Sequence, residues 1–141
     1  MKKILIQLFI VPAIILGIGS CSDKGGGGGG GGGGTTEANL AVTLNPPAGS
    51  TQPAAPQTDF PLTVTITSTM PPQGVTIDVK AAPDGSTTNF FTDSKSTTSA
   101  ITPFTITGTP AGVVCVTTVT VTSKTKATNT VTLSYRYTRK P

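Results

Sequence analysis

The chain has 141 residues, enough for one ordinary domain with appendages. Only 11% of residues are charged and there is no His or Trp, which excludes Cys–His and Ser–His catalysis and the commonest zinc ligands. The formal net charge of +4 is too small and too dispersed for a nucleic-acid footprint, with Arg136, Arg139 and Lys140 the one close group.

The first 20 residues read as a leader. Lys2 and Lys3 give a positive start, Ile4 to Ile18 an apolar stretch, and Gly19-Ser20 small residues before Cys21. The apolar run is short and holds Pro12, which fits export better than a membrane span. With Lys2 and Lys3 removed, eight basic residues remain against six acidic, a net +2. The four residues "IGSC" (Ile18 to Cys21) resemble the bacterial lipobox: an aliphatic residue, two small ones, then cysteine. That resemblance implies cleavage before Cys21, diacylation of its sulfur and acylation of the new amine. Two or three acyl chains hold a protein firmly to a membrane where one is marginal. Ser22 stands where, by the same resemblance, Asp would favour inner-membrane retention, so the implied location is the outer membrane of the cell envelope. The plainer alternative is an ordinary cleaved signal in which Cys21 is incidental.

Residues 21–38 form the next zone. Gly25 to Gly34 are ten consecutive glycines, which cannot bury apolar surface, so a disordered tether is expected. Ten such residues have an r.m.s. span of about 17–19 Å and a stretched limit near ~35 Å. A slippage-prone repeat of no selected length is an equally simple reading.

From Asn39 to the end the pattern has period two, broken by turn residues. "NLAVTLN" (Asn39 to Asn45) puts Leu40, Val42 and Leu44 on one face, and a Pro-rich loop follows. "PLTVTITST" (Pro61 to Thr69) turns Leu62, Val64 and Ile66 inward, and "VTIDVKA" (Val75 to Ala81) does so with Val75, Ile77 and Val79. "PDGS" (Pro83 to Ser86) is a turn in which Pro fixes φ and Asp-Gly accepts the tight backbone. "TNFFTD" (Thr88 to Asp93) is poorly patterned, and "AITPFTITG" (Ala100 to Gly108) offers Phe104 and Ile106 to the core. "VVCVTTVTVTS" (Val113 to Ser123) places Val113, Cys115, Val119 and Val121 in one phase. "NTVTLSYRYT" (Asn129 to Thr138) turns Val131, Leu133, Tyr135 and Tyr137 inward. Seven segments at this spacing, with no helical pattern, predict a single all-β antiparallel sandwich over 39–141. They resemble the immunoglobulin-like and fibronectin type III superfold, without the cysteine pair, Trp and tyrosine corner of antibody-type domains. Such a fold carries no function by itself.

Few side chains suggest chemistry. With Cys21 acylated, Cys115 has no partner for a disulfide, and its phase points to a buried thiol. Asp59, Asp78, Asp84 and Asp93 share no motif, and Asp84 with Asp93 falls short of a calcium site; no metal, cofactor or enzymatic activity is expected. Recurrent Thr-x-Thr pairs suit outward strand positions, where facing threonines stabilise a sheet. Phe90-Phe91 is the oddity, since neighbours on a strand point to opposite faces. Either one ring is exposed and contacts a ligand, or both fill the core where an edge segment bends. The expected role is therefore a membrane-anchored, non-catalytic envelope protein that contacts a protein partner or supports an assembly. A carbohydrate-binding module is the alternative, in which Phe90, Phe91, Tyr135 and Tyr137 would stack on sugar.

Overall fold

The computed structural model describes residues 36–141. The leader, Cys21 and the glycine tract lie outside the described residues. Residues 35–141 make a compact unit of their own. It is all-β, as the alternation predicts, with seven strands: β1 (Val42–Asn45), β2 (Phe60–Ile66), β3 (Val75–Pro83), β4 (Phe91–Thr97), β5 (Ile101–Ile106), β6 (Val114–Ser123) and β7 (Thr130–Thr138). Every strand pair is antiparallel, in a three-stranded sheet ordered β1-β2-β5 and a four-stranded sheet ordered β4-β3-β6-β7.

The apolar phase of each strand builds one core between the sheets, giving a β-sandwich-like body. Leu44, Leu62, Val64, Ile66, Phe104 and Ile106 come from the first sheet, and Val75, Ile77, Val79, Ala81, Cys115, Val119, Val121, Tyr135 and Tyr137 from the second. The outward phase carries the threonines, and their hydroxyls pair across strands: Thr120 with Thr132 at 3.3 Å and Thr122 with Thr130 at 3.0 Å. Four details differ from the alternation. Val113 precedes β6 and is exposed, because the strand takes up its register only at Val114, opposite Thr138. Thr117 and Ser123 fill the buried phase of β6 beside Cys115, Val119 and Val121. Val131 and Leu133 are only half-buried, on a strand at the edge of its sheet. Leu40 is buried although β1 starts two residues later.

Because consecutive strands alternate in direction, the turns sort into two ends. The chain enters at Glu37–Leu40, and the turns after β2, β4 and β6 share that end. The turns after β1, β3 and β5, with the C-terminus, form the far end. At the entry end Asn129 is the clasp. Its side-chain oxygen accepts from the Leu40 N–H at 2.9 Å, and its amide donates to the Glu37 carboxylate and the Ala38 carbonyl. Gly74, entering β3, has φ +77°, and a Cβ there would collide with the Thr97 carbonyl oxygen, so only glycine fits.

Three of the four sheet edges, those of β5, β4 and β7, are blunted. Ile66 bonds through its N–H to the Ala100 carbonyl, which sets the parity of the β2–β5 ladder and turns the Pro103 backbone away from β2. Pro103 presents no donor at that edge, and the Lys95 ammonium caps its carbonyl at 2.7 Å while lying 4.3 Å from the Phe104 ring centroid. Lys95 and Asp93 occupy the inward phase of β4, opposite Ile77 and Val79, and the Asp93 carboxylate accepts from the edge N–H of Ser94 at 2.9 Å. Inward-pointing charge and edge proline are devices against strand addition by another chain. The opposite flank is closed differently. The Pro-rich segment after β1 crosses to the other sheet and runs along β7, where Gly49, Gln52 and Ala55 donate to the carbonyls of Ser134, Arg136 and Thr138.

Candidate functional site

The residues whose side chains are capable of chemistry are dispersed or buried. Cys115 is fully buried; burial raises its thiol pKa, and its Sγ faces the Val113 carbonyl at 3.6 Å. A raised, inaccessible thiol is a poor nucleophile. Asp84 sits in the turn after β3 and accepts from Arg136 Nε at 3.0 Å, whereas Asp93 lies on β4 with Lys95 at 4.0 Å. The two carboxylates are committed to different partners. Among the described residues, no three of His, Cys, Asp and Glu come together as a metal site would need.

Phe90 and Phe91 are both half-buried and packed against the core. Phe91 pairs with Ala81, yet the Phe90 N–H also donates to the Ala81 carbonyl at 3.0 Å. Two consecutive residues thus oppose one, the signature of a β-bulge, which removes the strict alternation between neighbours. Tyr135 and Tyr137 are buried, and so are Phe60 and Phe104. Each aromatic ring of the described residues is therefore packed at least partly into the body, and none is laid open as a stacking platform.

The apolar surface that is exposed is aliphatic. Val113 and Val114 are 38% and 44% exposed at the far end, where β6 begins. Opposite parity to Cys115 turns Val114 and Val116 to the outer face, and the ladder sets Ala82 beside Val116. The Asp84 N–H bonds to the Val114 carbonyl at 2.9 Å, fixing the turn after β3 against this strand. Lys80, Asp84, Ser86 and Asn89 line a shallow hollow with Ala82 and Val116, and Arg136 reaches Asp84 from β7. A small aliphatic centre thus lies within a polar rim carrying both signs of charge. No alternation in the sequence marks this cluster, because Val113–Val116 reads equally well as core. Its only signal is the unbroken run "VVCV", four apolar residues where a half-buried strand needs two.

No protein-family model matches the chain, and it matches neither a curated protein nor a solved structure.

Proposed function

We propose that this chain is a lipid-anchored protein of the bacterial cell envelope whose body makes contact with a protein partner. In this reading residues 1–20 direct export, Cys21 carries the acyl chains, residues 22–34 are a leash, and the body performs no covalent chemistry. The body belongs to the immunoglobulin-like sandwiches, of the fibronectin type III kind. Support for that comes from the strand orders β1-β2-β5 and β4-β3-β6-β7, and from the chain's passage between sheets after Asn45.

The observation that carries the contact reading is the aliphatic cluster of Val114, Val116 and Ala82, at the end away from the point where the chain enters. An apolar centre within a polar rim is the anatomy of a protein interface. Strand addition fits less well, since Pro103, Lys95, Asp93 and the segment along β7 blunt three of the four edges and β1 is only four residues long. Sugar stacking also fits less well, because the rings of Phe90 and Phe91 are half withdrawn into the core.

Two measurements test the two halves of this reading. In a bacterial host fed a labelled fatty acid, the wild-type chain is expected in the membrane fraction with label, and Cys21→Ala without label. Label retained by Cys21→Ala would defeat the anchor. A photo-crosslinking residue placed at Val114 is expected to give a discrete adduct in the native envelope, whereas one at Thr105, on the outer face of β5, gives none. The same adduct pattern from both positions would defeat the contact surface.

A further inference from the structure

We infer that the entry end of the body docks on the anionic headgroup surface of the membrane to which the chain is tethered, through Lys124 and Lys126. This rests on the anchor reading above and adds an orientation to it. The turn between β6 and β7 presents Lys124 and Lys126, both exposed and neither in an ion pair among the described residues. Among the described residues they are the only cationic side chains on the loops of that end, since residues 36–41 and the turns after β2 and β4 have none. The one carboxylate there among the described residues, Glu37, is turned inward: one oxygen accepts from Asn129 and the other is buried. The charge that this end presents to solvent is therefore positive.

Position makes that charge useful. Asn129 lies three residues beyond Lys126 and binds Glu37, Ala38 and Leu40, so the chain enters the body beside the two lysines. From Cys21 to Glu37 the sequence supplies only a short linker with ten glycines. A body held on such a leash samples the membrane surface at high effective concentration, so a weak attraction decides which end faces it. Two lysines are too few to recruit a free protein, but they suffice to orient a tethered one. Each contributes about a fivefold preference near an anionic surface, or roughly 25-fold for the pair. Docking of the entry end would leave Val113 and Val114 directed away from the membrane.

The experiment couples residues 21–141 through Cys21 to a maleimide phospholipid in nanodiscs. Cys115 is buried, which directs the coupling to Cys21. Headgroup-bound gadolinium then broadens nearby amide signals. Between discs of neutral phosphatidylcholine and discs containing phosphatidylglycerol, broadening at Lys124–Thr128 relative to Val113–Val114 is expected to rise sharply. High salt or the double variant Lys124→Glu/Lys126→Glu is expected to remove the rise, while Lys80→Glu/Lys140→Glu, the same charge change elsewhere, leaves it. No difference between neutral and anionic discs would overturn the inference, as would an unchanged rise in the Lys124→Glu/Lys126→Glu variant. Chemical coupling replaces acylation here, so failure of this test is distinct from failure of Cys21 to take up lipid in cells.

Discussion

Replacing Tyr137 with alanine is expected to leave the body barely folded. Tyr137 is the largest fully buried side chain, 1% exposed, and ties together parts of the molecule distant in sequence. Its ring lies 4.6 Å from the Phe60 ring, centroid to centroid, and 5.8 Å from that of Tyr135, joining the two sheets at the far end. Its hydroxyl is 3.2 Å from that of Thr109, itself buried in the turn after β5. Truncating a buried aromatic residue destabilises by about 3–5 kcal/mol, because the cavity left behind collapses only in part. A domain of this size has about 5–10 kcal/mol in total. The urea midpoint of Tyr137→Ala should fall by about a third or more with an unchanged slope. Tyr137→Phe keeps the ring and strands the Thr109 hydroxyl, so it should cost only about 1–2 kcal/mol. Equal losses in the two variants would show that the hydroxyl pair, and not the packed ring, holds this end together.

The alternation of β2, β3, β6 and β7 was legible because burial on one sheet face imposes period two whatever the partner strand. Leu62, Val64, Ile66, Val75, Ile77 and Val79 all face the core for that reason. Strand ends were less so. The pair Val113-Val114 offers an apolar residue in either phase, and the register is fixed by pairing with Thr138 and by the turn at Asp84, both distant in sequence. The same ambiguity hid the aliphatic cluster, since a valine that packs and a valine that waits for a partner are written identically. Phe90-Phe91 raised the right question, but its answer, a bulge against Ala81, depends on a hydrogen bond that no local pattern encodes.

β4 was the least legible strand, and the reason is physical. Its inward phase holds Phe91, Asp93, Lys95 and Thr97, so it lacks the apolar alternation that identifies a half-buried strand. Those charges serve the edge: Lys95 spans to the neighbouring sheet at Pro103, and Asp93 covers the Ser94 donor. The Pro-rich segment after β1 follows the same logic. It reads as an irregular loop, yet its N–H groups lie along β7 and occupy carbonyls that a foreign strand would otherwise use. Under the proposed anchoring, a chain held with its copies at a membrane would gain from blunted edges, because pairing between neighbours would compete with the proposed contact. The edge devices and the open aliphatic cluster are thus complementary, one closing off backbone pairing and the other leaving a side-chain surface free.

Raising the pH above about 10 should destabilise the body steeply, and the two tyrosines should report it. Desolvation by burial pushes the Tyr135 phenol up to about 12, the nearby Thr117 hydroxyl offsetting part of the rise and Tyr137 adding to it. Burial raises Tyr137 and Cys115 as well. Below pH ~10 a phenol is neutral in both states, so its contribution to stability is fully present. Above that, Tyr135 of the unfolded chain ionises while that of the folded chain does not, and the unfolded state gains. From Tyr135 alone the loss approaches ~3 kcal/mol as pH rises through the folded value, at about 1.4 kcal/mol per unit. Tyr137 and Cys115 act in the same direction and add to that loss. The chain has two tyrosines and no tryptophan, so tyrosinate absorbance reports only these two phenols. They should ionise together in one steep step coincident with loss of β-sheet circular dichroism. Tyr135→Phe should shift that step to higher pH and lower its steepness. Gradual ionisation from pH ~10 with the sheet signal intact would mean that both phenols reach water in the folded state, contrary to their position in the core.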